Sequence, residues 1–367
     1  MNQEIDNIIP MDFNKADQLP DSHTWLDDHS PVNSSSTHES VPLIDLYDPQ
    51  AVDKIKMACE TWGIFQVTNH GVPVELLAQI EHQARRFFEL APEQKLRAVR
   101  SPGSLAGYGT VRISKFFDSQ MWSEGFTVAG SPLEHARQVW PQDYSDFCSV
   151  IDDYQEKMRG LAEKIAALMF KSLGLSPGED VEWFEPNGLS NSTQAYLQMN
   201  WYPKCPDPTR AMGLAQHTDT SLVTLLYQTS NIRGLQVYGP NLNWVDVKPI
   251  SDAIVVNLGD LMQIISNGRF KSVLHRAIVS EAHNRISVGY FFGSSKNVEI
   301  SPSLKLIKGS EFPMYKPISW NEYLDIKNKY FNKSLEMIGF NSDVEKSNAL
   351  ASGDEAPLGS EVEAIKV

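Results

Sequence analysis

The chain has 367 residues, 41% of them apolar, which is enough to bury a large core in one or two domains. Its formal net charge of −14 argues against a basic face for nucleic acid or for an anionic membrane surface. Three widely spaced cysteines, Cys59, Cys148 and Cys205, make neither a disulfide framework nor a CxxC metal knuckle, and they fit a reducing compartment such as the cytoplasm.

The start, "MNQEIDNIIPMDF", lacks the basic and apolar regions of a secretory signal and the arginines of a transit peptide. Residues 1–40 are polar and run into "HSPVNSSSTHES", which predicts a flexible N-terminal arm. "VPLIDL" reads as a short buried strand. Asp48 followed by Pro49 predicts an N-cap and first turn for a helix through "AVDKIKMACETW". "GIFQVTNHG" reads as strand then turn, and "VPVELLAQIEHQARRFFEL" has apolar residues at helical spacing. The aromatic-rich stretch "GYGTVRISKFFDSQMWSEGFTVAGSP" reads as a loop. A long helical stretch from Leu133 to Leu173 follows, broken at Pro141. Within it "IAALMFKSLGL" is interrupted by Lys171 and is too short to span a bilayer.

From Thr193 the character changes to short runs punctuated by Gly, Pro and Asn: "TQAYLQMNWY", "MGLAQH", "LVTLLYQ", "GLQVYG", "NWVDVKP", "AIVVNLG", "VLHRAIVS" and "RISVGYFFG". Short strands at this spacing predict a β-sandwich or barrel such as a jelly roll, with helices packed outside it. "DLMQIISNG" reads as a helical insert and "SWNEYLDIKNKYFNKSL" as a final helix. The expected division is an arm over 1–40, a mainly helical region over 41–180, a core with its following helix over 181–335, and a flexible acidic tail over 336–367.

Three pairs of residues carry chemistry. His217 and Asp219 lie two apart, so on a strand both would face one side. With His275 in "VLHRAIV" they form two histidines and a carboxylate, the facial set of non-haem Fe(II) oxygenases. Three ligands on one face leave positions open for a bidentate co-substrate and O2, which a closed four-ligand zinc site would not. Arg285 and Ser287 share one strand face, with Ile286 and Val288 on the other. A guanidinium fork turned into a sheet interior suits a carboxylate. Asn200 and Tyr202 form the third pair.

"HTD", "HRA" and "RIS", with "NWYPKCPDP" before them and "TWGIFQVTNHGVP" near the start, resemble the plant 2-oxoglutarate-dependent dioxygenases over roughly residues 40 to 335. The resemblance implies an α+β fold with a distorted jelly-roll (double-stranded β-helix) core flanked by helices. It also implies Fe(II), 2-oxoglutarate and O2, with ascorbate supporting activity. It places His217, Asp219 and His275 on the metal, Arg285 and Ser287 on 2-oxoglutarate, and Tyr202 and Asn200 beside them.

The 107–144 stretch and "LMQIISNGRFKSVLHRA" are similar to those of the gibberellin 3-beta-dioxygenases. That implies 3-beta-hydroxylation of gibberellin precursors, coupled to conversion of 2-oxoglutarate to succinate and CO2. The partner is then a small diterpenoid acid, with no nucleic acid, membrane or obligate protein partner. For that substrate Arg112 and Lys115 are the candidate cations, and Tyr108, Phe116, Phe117, Trp122 and Phe126 the candidate walls. Gln216 departs from the family pattern, which has a smaller residue before HTD. The alternatives are a gibberellin 2- or 20-oxidase, a flavonoid oxidase, a related oxidase using ascorbate alone, or a non-catalytic jelly-roll hormone-binding protein.

Overall fold

The computed structural model describes residues 12–25, 40–184, 193–229, 231–307 and 312–340. Its elements begin with β1 (Leu43–Asp45), α1 (Ala51–Thr61), β2 (Ile64–Thr68), α2 (Val74–Phe88) and α3 (Pro92–Lys95). β3 (Gly107–Gly109), β4 (Glu124–Val128), α4 (Leu133–Val139) and α5 (Ser145–Ser172) come next. β5 (Thr193–Tyr202), β6 (Leu214–His217), β7 (Val223–Gln228), β8 (Leu235–Tyr238), β9 (Trp244–Asp246) and β10 (Ile254–Leu258) precede α6 (Asp260–Ile265). β11 (His275–Ala277), β12 (Arg285–Ser294), β13 (Glu299–Ile300), β14 (Ile318–Ser319), α7 (Trp320–Tyr330) and α8 (Ser334–Met337) complete the chain. None of the described helices is long and apolar enough to cross a membrane.

Eight strands form one sheet in the order β1-β2-β10-β7-β12-β5-β4-β3, and β6-β11-β8-β9 form a smaller one. Alternation along the central strands sorts their side chains. Ile286, Val288, Tyr290 and Phe292 of β12, with Val223, Leu225 and Tyr227 of β7, join the core that α1, α2 and α5 cover. The intervening residues face the smaller sheet, and the two sheets together enclose a cavity. This is the jelly-roll arrangement expected from the run of short strands, and all eight predicted runs contain a strand.

Several expectations need correction. The 107–132 stretch is not all loop, because β3 and β4 extend the large sheet beyond β5. Consequently residues 41–180 do not merely pack on the core: β1 to β4 are part of its main sheet. β1 is an outer strand with Leu43 half exposed, so it is not fully buried. α1 starts later than expected, with Gln50 at the N-cap, although the Asp48 carboxylate accepts the Gln50 N–H at 2.8 Å.

The arm is not uniformly flexible either. Residues 12–25 pack through Phe13 and Trp25, which are 6% and 3% exposed. Trp25 donates to the Gln120 carbonyl at 3.0 Å and sits among Met121, Met212 and Ala215. Two large aromatics in a polar segment are enough to dock it, since each buries a large apolar area. The rest of the expected arm, 1–11 and 26–39, lies outside the described residues. The tail begins later than 336: α8 runs to Met337 and Ile338 is buried, whereas 341–367 lie outside the described residues.

Candidate active site

His217 and Asp219 do not share one strand, because the chain passes there between two strands of different sheets. β6 ends at His217, the chain turns through Asp219, and β7 starts at Val223 in the large sheet. His217 is therefore on a strand end and Asp219 just beyond it. The pairing of β11 with β6 sets His275 directly opposite His217. The Asp219 Oδ1 atom lies 3.7 Å from the Nε2 of each histidine, and the three candidate ligand atoms lie within 4.8 Å of one another. The two imidazole rings are 4.3 Å apart, centroid to centroid.

The surroundings orient these groups as ligands. His217 Nδ1 lies 2.8 Å from the Ala215 carbonyl, and His275 Nδ1 lies 3.2 Å from the Val273 carbonyl. A carbonyl only accepts, so each Nδ1 carries a proton and leaves Nε2, on the Asp219 side, as the atom that would meet a metal. Burial holds the His217 pKa well below its usual range, which keeps the ring neutral. Asp219 is 4% exposed, and its Oδ2 has no hydrogen-bond partner. A buried carboxylate without a partner is costly unless a cation compensates it. Two imidazoles and one carboxylate, with no thiolate among them, suit Fe(II).

Strand register builds the second half of the cavity. Arg285 pairs with Tyr202, and Ser287 with Asn200 on one side and Gln228 on the other. Paired residues share a face, so all five point the same way. The Arg285 guanidinium is 3% exposed and donates from Nη2 to Gln228 Oε1 at 2.9 Å. It lies over the Tyr202 ring at 5.0 Å. Burial lowers the Arg285 pKa, and the neighbouring Tyr202 opposes that shift. Its Nε and Nη1 have no partner. Unpartnered donors on a buried cation suit an anionic acceptor such as a carboxylate. Gly234 makes the space: a Cβ there would lie 2.7 Å from Arg285 Cδ.

The residues proposed for substrate binding separate into two groups. Trp122, Tyr108 and Phe126 are core. Trp122 is fully buried against Phe13 and His23 and donates to the Lys204 carbonyl. Phe126 stacks on Phe87 at 4.3 Å, with Tyr108 also against Phe87, on the helix-covered side of the sheet. Burial of these rings in the core leaves them no face for a ligand.

Arg112, Lys115 and Phe116 lie on one 3-10 turn with Phe117 just after it, and none of the four lines the cavity. Phe116 stacks on Phe331 at 4.6 Å, and Phe117 meets both Phe331 and Trp25 edge-on or tilted. Arg112 acts electrostatically on Tyr196, as does Asp219, and Tyr196 stacks at 4.6 Å on the cavity-lining Phe291. Arg112 donates to the Ser104 carbonyl and Lys115 to Asn328, but neither forms an ion pair with an acid among the described residues. Burial lowers the pKa of both, and Arg112 adds to the effect on Lys115. Both residues are nonetheless exposed at the surface.

Sequence reasoning missed Gln228, the partner of Arg285, and Asn257, a cavity residue whose Oδ1 is unpartnered. Asn257 had a legible signal, being a lone amide in the apolar strand "AIVVNLG". Gln228 had none, because which strand lies beside β12 is set by topology.

Residues 191–294 match the 2OG-Fe(II) oxygenase superfamily. Residues 41–144 match the family described as non-haem dioxygenase in morphine synthesis N-terminal. The chain is 46% identical over 333 residues to gibberellin 3-beta-dioxygenase 1 of Pisum sativum, covering 89% of this chain and 88% of that one. It is 47% identical over 332 residues to gibberellin 3-beta-dioxygenase 1 of Arabidopsis thaliana, covering 89% and 92%. Among solved structures it is similar to JOX2 in complex with 2OG, Fe and JA, with a TM-score of 0.77 and 30% identity over 89% of this chain and 95% of that one. A rice dioxygenase for auxin oxidation matches with a TM-score of 0.67 and 25% identity, covering 82% and 100%.

Proposed function

The chain belongs to the 2OG-Fe(II) oxygenase superfamily, and on that premise we infer that it is a gibberellin-forming enzyme. It uses Fe(II), O2 and 2-oxoglutarate to add a 3-beta-hydroxyl to gibberellin precursors, releasing succinate and CO2. The observation that carries this reading is the 46–47% identity to gibberellin 3-beta-dioxygenases along almost their whole length. The intact set of His217, Asp219 and His275 favours an enzyme over a hormone-binding protein that has lost its chemistry.

When bound, Fe(II) and 2-oxoglutarate together supply the oxidation of an unactivated C–H bond by O2. The protein's residues position and protect that chemistry. His217 and His275 would present their Nε2 atoms, and Asp219 its carboxylate, to the iron. Arg285 grips the distal carboxylate of 2-oxoglutarate, with Ser287, Tyr202 and Asn200 around it. Leu214, Leu226, Leu235 and Ala277 line the cavity between these groups with apolar surface. Such walls exclude water from the reacting carbon. Ascorbate keeps the metal reduced, and the three free cysteines fit a reducing cytoplasm.

Arg112, backed by Lys115 and flanked by Phe116, takes the carboxylate of the diterpenoid acid. Arg112→Ala is expected to raise the precursor KM about two- to tenfold, as for loss of one partly exposed charge-assisted hydrogen bond. The KM for 2-oxoglutarate should not change. Equal effects on both constants would remove Arg112 from the substrate site.

The function itself is tested by mass spectrometry of products from a panel of gibberellin precursors with iron, 2-oxoglutarate and ascorbate. A 3-beta-hydroxylated product is expected. A 2- or 20-oxidised product, or turnover of flavonoids alone, would reassign the activity. Turnover without succinate would point to an oxidase using ascorbate alone. Anaerobic addition of Fe(II) and 2-oxoglutarate should also give a weak visible charge-transfer band, which a non-catalytic binder would lack.

A further inference from the structure

The end of α7 meets the metal segment on both sides of His217. Lys327, only 8% exposed, donates from Nζ to Thr218 Oγ1 and, at 2.9 Å, to Asp260 Oδ2. Five residues on, Asn332 donates to the Gln216 carbonyl at 3.2 Å. The residues immediately before and after His217 are thus both tied to the C-terminal segment, one to α7 through Lys327 and the other to the 3-10 turn Phe331–Lys333 through Asn332. Asp260 continues the grip. Its carboxylate also accepts from Thr218 at 3.2 Å and from the Tyr323 hydroxyl at 2.7 Å, and its backbone N–H donates to the Asp219 carbonyl at 2.8 Å.

The backbones there are pressed together. A Cβ on Gly259 would lie 1.9 Å from the Ser221 carbonyl oxygen, so only glycine allows the turn into α6 to meet the 218–221 segment this closely. A lysine is rarely buried this deeply without a specific partner, and its long stem carries a large entropic cost when ordered. Holding a metal-bearing segment in place is a use that matches the two acceptors its ammonium reaches, Thr218 and Asp260.

We propose that Lys327 is a positioning residue of the metal site. Its ammonium, neutralised by Asp260, fixes Thr218 through the hydroxyl, while Asn332 fixes Gln216. Together they hold His217 and Asp219 in the geometry of metal ligands before any metal arrives. The 320–332 region is on this view a functional part of the iron site. The small residue expected before HTD is replaced by Gln216 without loss, because the Asn332 contact is to its backbone carbonyl.

The proposal rests on His217, Asp219 and His275 being metal ligands, and the test separates the two ideas. Co(II) alone is titrated into the full-length apoprotein and followed by its visible absorption, with melting temperature measured in parallel. The wild type should bind and Asp219→Ala should not; wild-type failure would remove the metal site itself. Thr218→Val deletes the acceptor but leaves the Lys327–Asp260 pair intact. It should weaken Co(II) binding by about 10–100-fold, the usual effect of losing an outer partner of a metal ligand, with little change in melting temperature. Thr218→Ser keeps the hydroxyl and should bind like the wild type.

Should Thr218→Val not fold, the double variant Lys327→Met/Asp260→Asn carries the test, since it removes both charges together and leaves neither uncompensated. It should show the same weakened affinity. Wild-type Co(II) affinity in folded Thr218→Val or in the double variant would overturn the proposal. So would a loss in Thr218→Ser equal to that in Thr218→Val, because the hydroxyl would then not be the handle.

Discussion

Replacing Asp219 by alanine should abolish turnover and leave the metal-free protein at least as stable as before. Asp219 contributes the carboxylate of the three clustered candidate ligands, and it is buried with Oδ2 unpartnered. Removing it leaves two neutral imidazoles, which cannot balance a divalent cation. Metal affinity should therefore fall by more than the roughly 10–100-fold that loss of an outer partner costs. In the apoprotein the same carboxylate is buried with Oδ2 unpartnered, so its deletion removes few stabilising contacts. The expected pair of results is no product, together with an apo melting temperature unchanged or raised. Residual turnover by an iron-loaded variant would exclude Asp219 as a ligand. A collapse in apo stability would mean that its main role is structural. His217→Ala should lose turnover in the same way.

Replacing Arg285 by alanine should raise the KM for 2-oxoglutarate at least tenfold, with the precursor KM little changed. One hydrogen bond to a charged group is worth about 1.5–3 kcal/mol, and each 1.4 kcal/mol is about tenfold in affinity. Arg285 has two nitrogens without a partner, Nε and Nη1, so losing it can remove more than one such bond. Arg285→Lys should recover little of the loss. A lysine is a point charge without the planar fork, and the pocket is shaped for the guanidinium by Gly234 and by the Tyr202 ring beneath it. Steady-state kinetics with 2-oxoglutarate varied at saturating precursor decide the matter. An unchanged KM would take Arg285 out of the co-substrate site and leave its orphaned donors unexplained.

Much of this was legible in the residues themselves, and the reason is local. A strand repeats every two residues, so the alternation in "RISVGYFF" assigns Arg285 and Ser287 to one face and Ile286 and Val288 to the other with no knowledge of neighbours. The structure places Ile286 and Val288 in the helix-covered core and Arg285 and Ser287 in the cavity. The same short-range rules located α1, α2, α5 and α7 and the strands of the β-rich half.

Where expectation failed, the deciding contact was distant in sequence. Glu124–Val128 is a strand because β5 lies beside it. Phe13 and Trp25 are ordered because loops far along the chain bury them. Trp122 could not be told from a substrate wall by its type, since a buried indole and a ligand-facing one look alike until their neighbours are known.

The sequence by itself determined the chemical types of the site, the pairings that put them on common strand faces, and the class of fold that would carry them. Only the tertiary structure decided which pairs meet. Strand order set Gln228 beside Ser287 and His275 opposite His217, and the packing of the last long helix and the short turn after it brought Lys327 and Asn332 to the two sides of His217. The physical reason is that backbone periodicity is encoded over a few residues, whereas these contacts depend on how separate strands and helices bury their apolar faces against one another.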